Sequence, residues 1–282
     1  MSPRTLALTA LALIPFAANS VLTRLAIAPG DIDAATFASV RIAAGALTLW
    51  AIVLATRSGP LPPRPDWRMA LALFGYVAAF SFAYVWLEAG TGALILFGSV
   101  QLTMFAVALV EGERFSPLAW AGLAAAFGGL VYLVSPGLSA PDPFGAVLMT
   151  IAGISWGFYS LYGRTAGDPL AATAWNFLLC TPLVIAVSLL SWGDMTANIR
   201  GLALAVVSGA VASGLGYVIW YAALRGLTAG RAAVAQLAVP AIAAIGGALF
   251  IAEPVTLRLI LASAITLGGV AIVLTQRAPR SG

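Results

Sequence analysis

The stretch AGISWGFYSLYGRTA at Ala152–Ala166 decides the fold, because it repeats ALIPFAANSVLTRLA at Ala12–Ala26 after a displacement of 140 positions. Five of the fifteen aligned positions are identical. The same displacement relates three further pairs: Glu113 and Glu253, Gly128 and Gly268, and Gly129 and Gly269. A single offset that holds near both ends of the chain indicates an internal duplication.

The composition assigns the chain to the lipid bilayer. Hydrophobic residues make up 61% of the sequence and charged residues 9%, and the mean hydropathy is +1.00. Soluble domains are about half apolar and a quarter charged. The long apolar runs do not alternate as barrel strands do, and a bilayer core requires about 20 apolar residues per helix. The sequence predicts an all-α integral membrane protein.

Glycine, proline and charged residues divide the chain into ten apolar segments, each predicted to be a transmembrane helix. Their connections are short, so neighbouring helices are predicted to be antiparallel. The duplication assigns five helices to residues 1–140 and five to residues 141–282. Because five is odd, the second unit enters the membrane from the opposite side, which predicts two inverted repeats. The predicted segments are 5–25, 32–56, 67–88, 91–111, 117–135, 143–164, 169–191, 198–224, 229–252 and 256–276.

Arginine distribution predicts the orientation, because positive residues accumulate on the cytoplasmic side. With a cytoplasmic N-terminus, ten arginines lie inside and three outside, which places both termini and the 57–66 loop inside and a turn at 89–92 outside. A signal peptide at residues 1–28 is the alternative for the N-terminus, but an internal helix matches this segment and favours a spanning helix. The inside set is Arg4, Arg57, Arg64, Arg68, Arg114, Arg164, Arg225, Arg231, Arg277 and Arg280, and the outside set is Arg24, Arg200 and Arg258.

Several functional classes lack the residues they need. There is no GxxxxGK[ST] loop for a nucleotide, no histidine, and no Asp or Glu in the middle of any apolar segment, so neither an enzyme nor a metal or other cofactor is predicted. The net charge of +4 belongs to the inner surface and does not indicate nucleic-acid binding. The predicted partners are the lipid bilayer and a small-molecule substrate.

Aromatic and amide side chains inside the helices are the candidate substrate-binding residues. The duplication superimposes Phe16 on Trp156, away from the interfaces where Trp is usual, and Tyr159 follows Trp156 on the same helical face. Aromatic residues at four-residue spacing form two stripes on corresponding helices, Tyr76, Phe80 and Tyr84 on helix 3 and Tyr217 and Tyr221 on helix 8. These stripes could pack against other helices or bind substrate, and buried phenols require hydrogen-bond partners. The full predicted set is Phe16, Asn19, Tyr76, Phe80, Tyr84, Gln101, Trp156, Tyr159, Tyr217, Tyr221 and Gln236.

Charged residues inside or beside the helices carry two further predictions. Arg41 lies inside helix 2, where it must snorkel, pair or face a wet cavity, and Glu88 is its predicted partner. The glutamates at 88, 111, 113 and 253 are predicted to be interfacial or capping charges at helix ends. Inverted repeats are the architecture of many secondary transporters, whose binding site lies where the two halves face each other. Because no carboxylate occupies the central third of any helix, transport is predicted to be facilitated rather than driven by a proton or sodium gradient.

The sequence resembles the drug/metabolite transporter superfamily, specifically chains with two tandem EamA-type units. The resemblance rests on GluArgPhe at 113–115 and its echo GluProValThr at 253–256, the two GlyGly pairs, and Pro240. Phe16, Arg24 and TrpGlyPheTyr at 156–159 are similar to the YddG-type exporters within it. This resemblance implies ten helices, a mostly apolar central cavity, an inner-membrane location, and export of aromatic and other amino acids, with hydrophobic cationic drugs as further substrates.

Two alternatives remain open at this point. A nucleotide-sugar or other metabolite carrier of the same superfamily would need more fixed charge in its cavity to meet a phosphate. A membrane scaffold or a channel-like pore is the alternative from another class.

Overall fold

In the computed structural model of the chain, residues 2–56, 66–137, 139–163, 167–227 and 229–275 are described. Within these ranges the chain forms ten long helical segments and a short 3₁₀ helix at Trp192–Asp194. The long segments are α1 (Pro3–Ile27), α2 (Ala34–Thr56), α3 (Trp67–Ala83), α4 (Ala89–Val110), α5 (Pro117–Val134), α6 (Pro143–Tyr162), α7 (Pro169–Leu190), α8 (Ile199–Leu224), α9 in two parts (Ala229–Gln236 and Val239–Ile251) and α10 (Leu257–Thr275).

Local sequence explains where the helices begin. SerPro or AspPro opens α1, α5, α6 and α7, and in each case the Ser or Asp side chain accepts a hydrogen bond from a backbone N–H of the first turn. Proline suits this first position because it lacks the N–H that would otherwise have no helical partner. In the described part of the chain, nine helices are long and apolar enough to cross a membrane, and α3 is a shorter apolar helix. The all-α multi-pass fold is therefore confirmed.

The region between α3 and α4 differs from the prediction. α3 ends at Ala83 rather than at 88, and the predicted turn at 89–92 is wrong, because those residues form the first turn of α4. The chain reverses instead at residues 84–88. Glu88 consequently occupies the N-cap position of α4 and does not close α3.

α9 is interrupted directly after Gln236, where its first part ends. Leu237 and Ala238 separate the two parts, and Pro240 lies in the first turn of the second part. Proline has no N–H to donate to the carbonyl four residues earlier, which is that of Gln236, so the regular helix cannot continue through this point. The interruption places the Gln236 side chain at the end of a helical segment in the interior of the bundle.

The most extensive helix contacts follow one scheme. α1 packs against α8 and α9, and α6 packs in the same way against α3 and α4. The helix pairs α2 with α7, α4 with α9, and α5 with α10 also contact each other. Each of these contacts has a counterpart obtained by exchanging the first five helices with the last five.

Four hydrogen bonds join connections that follow odd-numbered helices, which lie at one end of the bundle. Asp31 accepts a hydrogen bond from Asn198 Nδ2 at 2.7 Å, and the Thr196 backbone N–H donates to Asp33 at 3.0 Å, which joins the connections after α1 and α7. The Arg258 guanidinium donates to the carbonyl oxygens of Leu133 and Ser135. Sequence predicts that this end faces outward, and we call it the predicted outer end.

The duplicated glycine pairs have distinct positions. A Cβ on Gly129 would collide with Thr266 and the Ala262 carbonyl, and a Cβ on Gly269 would collide with Gly122 and Ala126. Ala262 and Thr266 are the positions 140 residues after Gly122 and Ala126, so α5 and α10 make the same contact with each other from both sides. Gly128 and Gly268 face open space.

Other small-residue contacts lie where two helices approach closely. Gly153 faces Ser99 and Gly157 faces Thr103, both on α4, so this GxxxG pair packs α6 against α4. On α8, Gly209 faces the Arg41 carbonyl of α2. A side chain at any of these positions would separate the helices.

Some residues used in the sequence argument lie outside the described residues. Arg164, the duplicated counterpart of Arg24, is one of them, and the 57–66 loop is described only at residue 66. Of the arginines that predict the orientation, Arg57, Arg64, Arg277 and Arg280 also lie outside the described residues.

Candidate substrate site

A small cavity lies in the centre of the bundle, between helices of the first and second halves. Its free volume is about 30 Å³, room for about two or three water molecules. The cavity is lined by Phe16, Asn19, Ser20, Arg41, Tyr76, Phe80, Leu96, Phe97, Trp156, Ser213, Tyr217 and Gln236. The walls are mostly aromatic or apolar, with a few polar groups, which is the usual character of a small-molecule site.

Aromatic rings from both halves form a continuous cluster around the cavity. The Trp156 ring lies 4.7 Å from the Tyr76 ring and 6.0 Å from the Tyr217 ring, measured between centroids. Phe16 lies 5.9 Å from Tyr217. These are favourable aromatic pair distances. Because Phe16 and Trp156 occupy duplicated positions, each half contributes one aromatic residue from its first helix to the cluster.

The polar wall of the cavity is organised by Asn19. The Ser208 hydroxyl donates to Asn19 Oδ1 at 2.8 Å, and the Ser213 hydroxyl donates to the same oxygen at 3.4 Å. In a regular α-helix, residues five positions apart point about 140° away from each other. Ser208–Leu215 instead forms a π-helical segment of α8, whose wider turn brings both serines to one side. The π segment is thus what directs two hydroxyl groups at a single amide.

Arg41 is the charged group of the cavity and is only 2% exposed. Its Nη2 donates to the Tyr76 hydroxyl at 3.1 Å, and its Cζ lies 4.9 Å from the centroid of the Phe80 ring. Nε and Nη1 are buried and have no hydrogen-bond partner among the described residues. The prediction that Glu88 pairs with Arg41 is wrong, because the structure directs Arg41 to Tyr76 while Glu88 interacts with Glu253 and Arg24.

Most of the predicted site residues are brought together, and some are placed beside the cavity. Phe16, Asn19, Tyr76, Phe80, Trp156, Tyr217 and Gln236 line it. Tyr159 and Tyr221 belong to the surrounding cluster, where Tyr159 accepts a hydrogen bond from Asn176 and Tyr221 shares one with Thr173.

Two predicted residues do not line the cavity. Tyr84 lies beyond the end of α3, and its hydroxyl donates to the Ala89 carbonyl at 3.3 Å, so it packs the α3–α4 connection. Gln101 is half-buried on α4 and is not one of the lining residues. A four-residue spacing fails to place Tyr84 because the helix carrying the stripe ends at Ala83.

The structure adds lining residues that sequence reasoning missed. Arg41 was singled out as a charge inside a helix, but its direction depends on which helices neighbour α2. Ser20 and Ser213 gave no signal because small polar residues are common in membrane helices. Leu96 and Phe97 gave none because they are apolar residues within an apolar run.

A second polar cluster closes the bundle at the predicted outer end. Arg24 Nε donates to Glu253 Oε1 at 2.9 Å, and Glu253 Oε2 accepts a hydrogen bond at 2.8 Å from the Ala89 backbone N–H at the start of α4. Arg24 Nη1 also donates to the Tyr84 carbonyl. Glu253 is predicted to be a charge at the end of its own helix, but in the structure its side chain pairs with Arg24 and accepts a hydrogen bond from the first turn of α4.

Glu88 faces this ion pair from the α3–α4 connection. Burial raises the pKa of its carboxyl group above the ordinary value, the charge of Glu253 raises it further, and Arg24 acts in the opposite direction. The cluster therefore connects α1, α4 and the α9–α10 connection through charged groups. Its net charge depends on whether Glu88 is protonated.

Comparisons with known proteins agree with this architecture. The EamA-like transporter family matches residues 143–275. The chain is 48% identical to the uncharacterized protein PA1977 of Pseudomonas aeruginosa over 99% of this chain and 97% of that protein. It is 28% identical to an uncharacterized transporter of Archaeoglobus fulgidus over 87% of this chain and 88% of that one.

Two further similarities are more distant. The uncharacterized inner membrane transporter YedA of Escherichia coli is 29% identical over 57% of this chain and 54% of that protein. A solved crystal structure superposes with a TM-score of 0.67 at 22% identity, covering 93% of this chain and 97% of that one. At this identity the superposition shows a shared fold.

Proposed function

This chain belongs to the EamA-like transporter family of the drug/metabolite transporter superfamily, and from that premise we propose that it exports aromatic amino acids, and other amino acids less well, by alternating access. The chain is a multi-pass membrane protein and a transporter. The observation that carries the proposal is the central cavity, whose aromatic walls come from helices of both halves.

We propose that the two halves, 1–140 and 141–282, are inverted repeats. The counterpart contacts of α1 and α6 and the reciprocal contact of Gly129 and Gly269 support this arrangement. Two repeats of opposite orientation can exchange conformations, which gives one state open to each side of the membrane. The substrate site then lies at the interface between the repeats. In the structure the cavity is too small for an amino acid, so the aromatic rings must separate before substrate can enter.

The proposed location is the inner membrane, with both termini in the cytoplasm. The arginine distribution supports this orientation, and YedA is named as an inner membrane transporter. For the energy source we propose facilitated export down the amino-acid gradient. Among the described residues no carboxylate lies in the middle of a helix, where a proton-coupling group is usually found.

Counterflow in proteoliposomes tests this function. Vesicles holding purified protein and unlabelled L-phenylalanine should accumulate external labelled L-phenylalanine transiently and faster than vesicles without internal substrate. A pore would show no acceleration by internal substrate, a scaffold would move nothing, and a nucleotide-sugar carrier would exchange its own substrate but not phenylalanine. Accumulation of phenylalanine in response to an imposed pH or sodium gradient would contradict facilitated export.

A further inference from the structure

Arg41 lines the central cavity and carries unused hydrogen-bond donors. Its side chain is 2% exposed, and both Nε and Nη1 lack a partner in the described part of the chain. A buried donor without a partner costs free energy, and a buried charge costs more. Such a group persists where another molecule supplies the missing acceptor.

The contacts that Arg41 does make orient it without neutralising it. The Tyr76 hydroxyl accepts one hydrogen bond, and the rings of Phe80 and Tyr76 lie 4.9 and 5.6 Å from the guanidinium carbon. Cation–π contacts stabilise the charge through the face of the group and leave its N–H edges available. The planar guanidinium is thereby held in position beside the cavity.

The described residues supply Arg41 with no counter-charge. Arg41 belongs to neither of the two ion pairs that join Arg24 to Glu253 and Arg200 to Asp31, and the lining of the cavity contains no Asp or Glu. Apart from Arg41, the polar wall consists of neutral hydroxyl and amide groups. The site therefore holds a fixed positive charge.

We propose that Arg41 receives the carboxylate of the substrate, so that the cavity binds aromatic carboxylates and rejects aromatic amines. A guanidinium fork matches the geometry of a carboxylate, and the pair is stronger where water is excluded. This inference rests on the proposed function for the location of the site and specifies its substrate class. It excludes hydrophobic cations, which would meet a like charge in a cavity of low dielectric constant.

The substrate class extends to carboxylates that lack an ammonium group. No described lining residue carries a negative charge for an ammonium, whose remaining partners are ring faces and the oxygens of Asn19 and Gln236. An aromatic monoanion neutralises Arg41 and leaves no second charge in the cavity. We therefore expect 3-phenylpropionate to bind at least as tightly as L-phenylalanine.

Three probes with the same ring and chain length test the proposal in binding assays on purified protein. They are 3-phenylpropionate, L-phenylalanine and phenethylamine, which carry negative, zwitterionic and positive charge. We expect the two carboxylates to bind at least about tenfold more tightly than the amine. Arg41→Gln should reduce the affinity for both carboxylates by at least about tenfold without reducing that for phenethylamine. Equal affinities for acid and amine, or unchanged carboxylate binding by Arg41→Gln, would overturn the proposal.

A stability measurement separates recognition from a structural role. Because Arg41 is an uncompensated buried charge, Arg41→Gln without ligand should melt no lower than the wild type, and 3-phenylpropionate should stabilise only the wild type. If Arg41→Gln does not fold, Tyr76→Phe takes its place: it removes the hydrogen bond to Nη2 and should raise KM for carboxylates with little change in kcat. A change in kcat alone would contradict the assignment.

The outcomes distinguish this proposal from the proposed function. Charge-selective binding without phenylalanine counterflow would leave Arg41 as a carboxylate receptor and refute amino-acid transport. Phenylalanine counterflow that Arg41→Gln leaves unchanged would support amino-acid transport and refute the role of Arg41.

Discussion

Trp156 is the residue on which the aromatic site is centred. Its ring contacts Tyr76, Tyr159 and Tyr217, and it lines the cavity while remaining half-buried. The sequence indicated its importance from the duplication and from its position away from the membrane interfaces. Its contacts with α3 and α8 could not be derived, because they depend on how the two halves pack.

The first prediction replaces this ring by an aliphatic side chain. Trp156→Leu should raise KM for L-phenylalanine about tenfold. The substrate ring loses its contact with the indole ring, and one or two such aromatic pairs contribute about 0.5–1.5 kcal/mol each. Phe158→Leu is the matched control, since Phe158 is 37% exposed on the same helix and lines no part of the cavity. Counterflow rates measured over a range of concentrations give both constants. A loss of folded protein with normal KM in the remainder would assign Trp156 to packing.

The second prediction concerns Glu88 at the predicted outer end. Its raised pKa means that the folded protein binds this proton more tightly than the unfolded chain does, so the stabilisation is present in acid and is lost as the pH rises through the raised pKa. Glu88→Gln removes the destabilising charge and should therefore melt at a higher temperature than the wild type near pH 8. We expect a difference of only roughly 2 °C, because solvent partly screens the charge of this half-exposed residue.

The comparison at acid pH provides the control for Glu88. Near pH 4 the wild-type carboxyl group is largely protonated, so the two proteins should melt together. A difference between them that is the same at both pH values would show that the change acts through packing rather than through charge.

At the scale of helices, the duplicated glycine pairs allow an internally controlled experiment. A Cβ on Gly129 or Gly269 would meet the backbone of the opposite helix, whereas Gly128 and Gly268 face open space. Gly129→Ala and Gly269→Ala should each lower stability by about 1–3 kcal/mol through overpacking. Gly128→Ala and Gly268→Ala should be neutral or slightly stabilising, because Ala favours a helix over Gly.

Thermal unfolding in detergent measures these four variants. Equal effects of Gly129→Ala and Gly269→Ala are expected because α5 and α10 make the same contact from both sides. Destabilisation by Gly128→Ala comparable to that by Gly129→Ala would contradict the crossing of these two helices.

The existence of each helix was predictable from the sequence, because it follows from apolar composition. The positions of turns and of widened helical segments were less predictable. The ten apolar segments all became helices in the described residues, because backbone groups in a bilayer must be paired within the segment. The reversal at residues 84–88 and the π segment at Ser208–Leu215 were missed. Both occur in apolar stretches without a proline, where hydropathy carries no information about backbone turns.

At the scale of the whole molecule, the orientation remains a prediction from arginine counts. An impermeant thiol reagent should label Gly193→Cys, in the α7–α8 connection, in intact cells, and should not label Ser58→Cys in the 57–66 loop until the membrane is permeabilised. The Cys180→Ala background removes the single native cysteine. The opposite labelling pattern would reverse the orientation and with it the direction named as export.

The candidate site shows why sequence predicts a whole transporter less well than its parts. Seven of the eleven predicted residues line the cavity, because buried aromatic and amide residues in duplicated helices are rare enough to be recognised. Arg41 faces Tyr76 because α2 lies beside α3. Glu88 does not pair with Arg41 because it lies beside Glu253 and Arg24. Such relations are set by how the helices pack against one another, which the spacing of residues along one helix does not contain.

Alternating exposure of Gln236 tests the central claim, that this cavity is the transport site, most directly. In Cys180→Ala protein reconstituted in one orientation, the rate at which an impermeant thiol reagent labels Gln236→Cys is measured from each side, with and without L-phenylalanine. Leu249→Cys, on the exposed face of the same helix, is the control. We predict labelling from both sides, with phenylalanine changing the two rates in opposite directions. Rates that phenylalanine leaves unchanged, or labelling from one side only, would contradict the account.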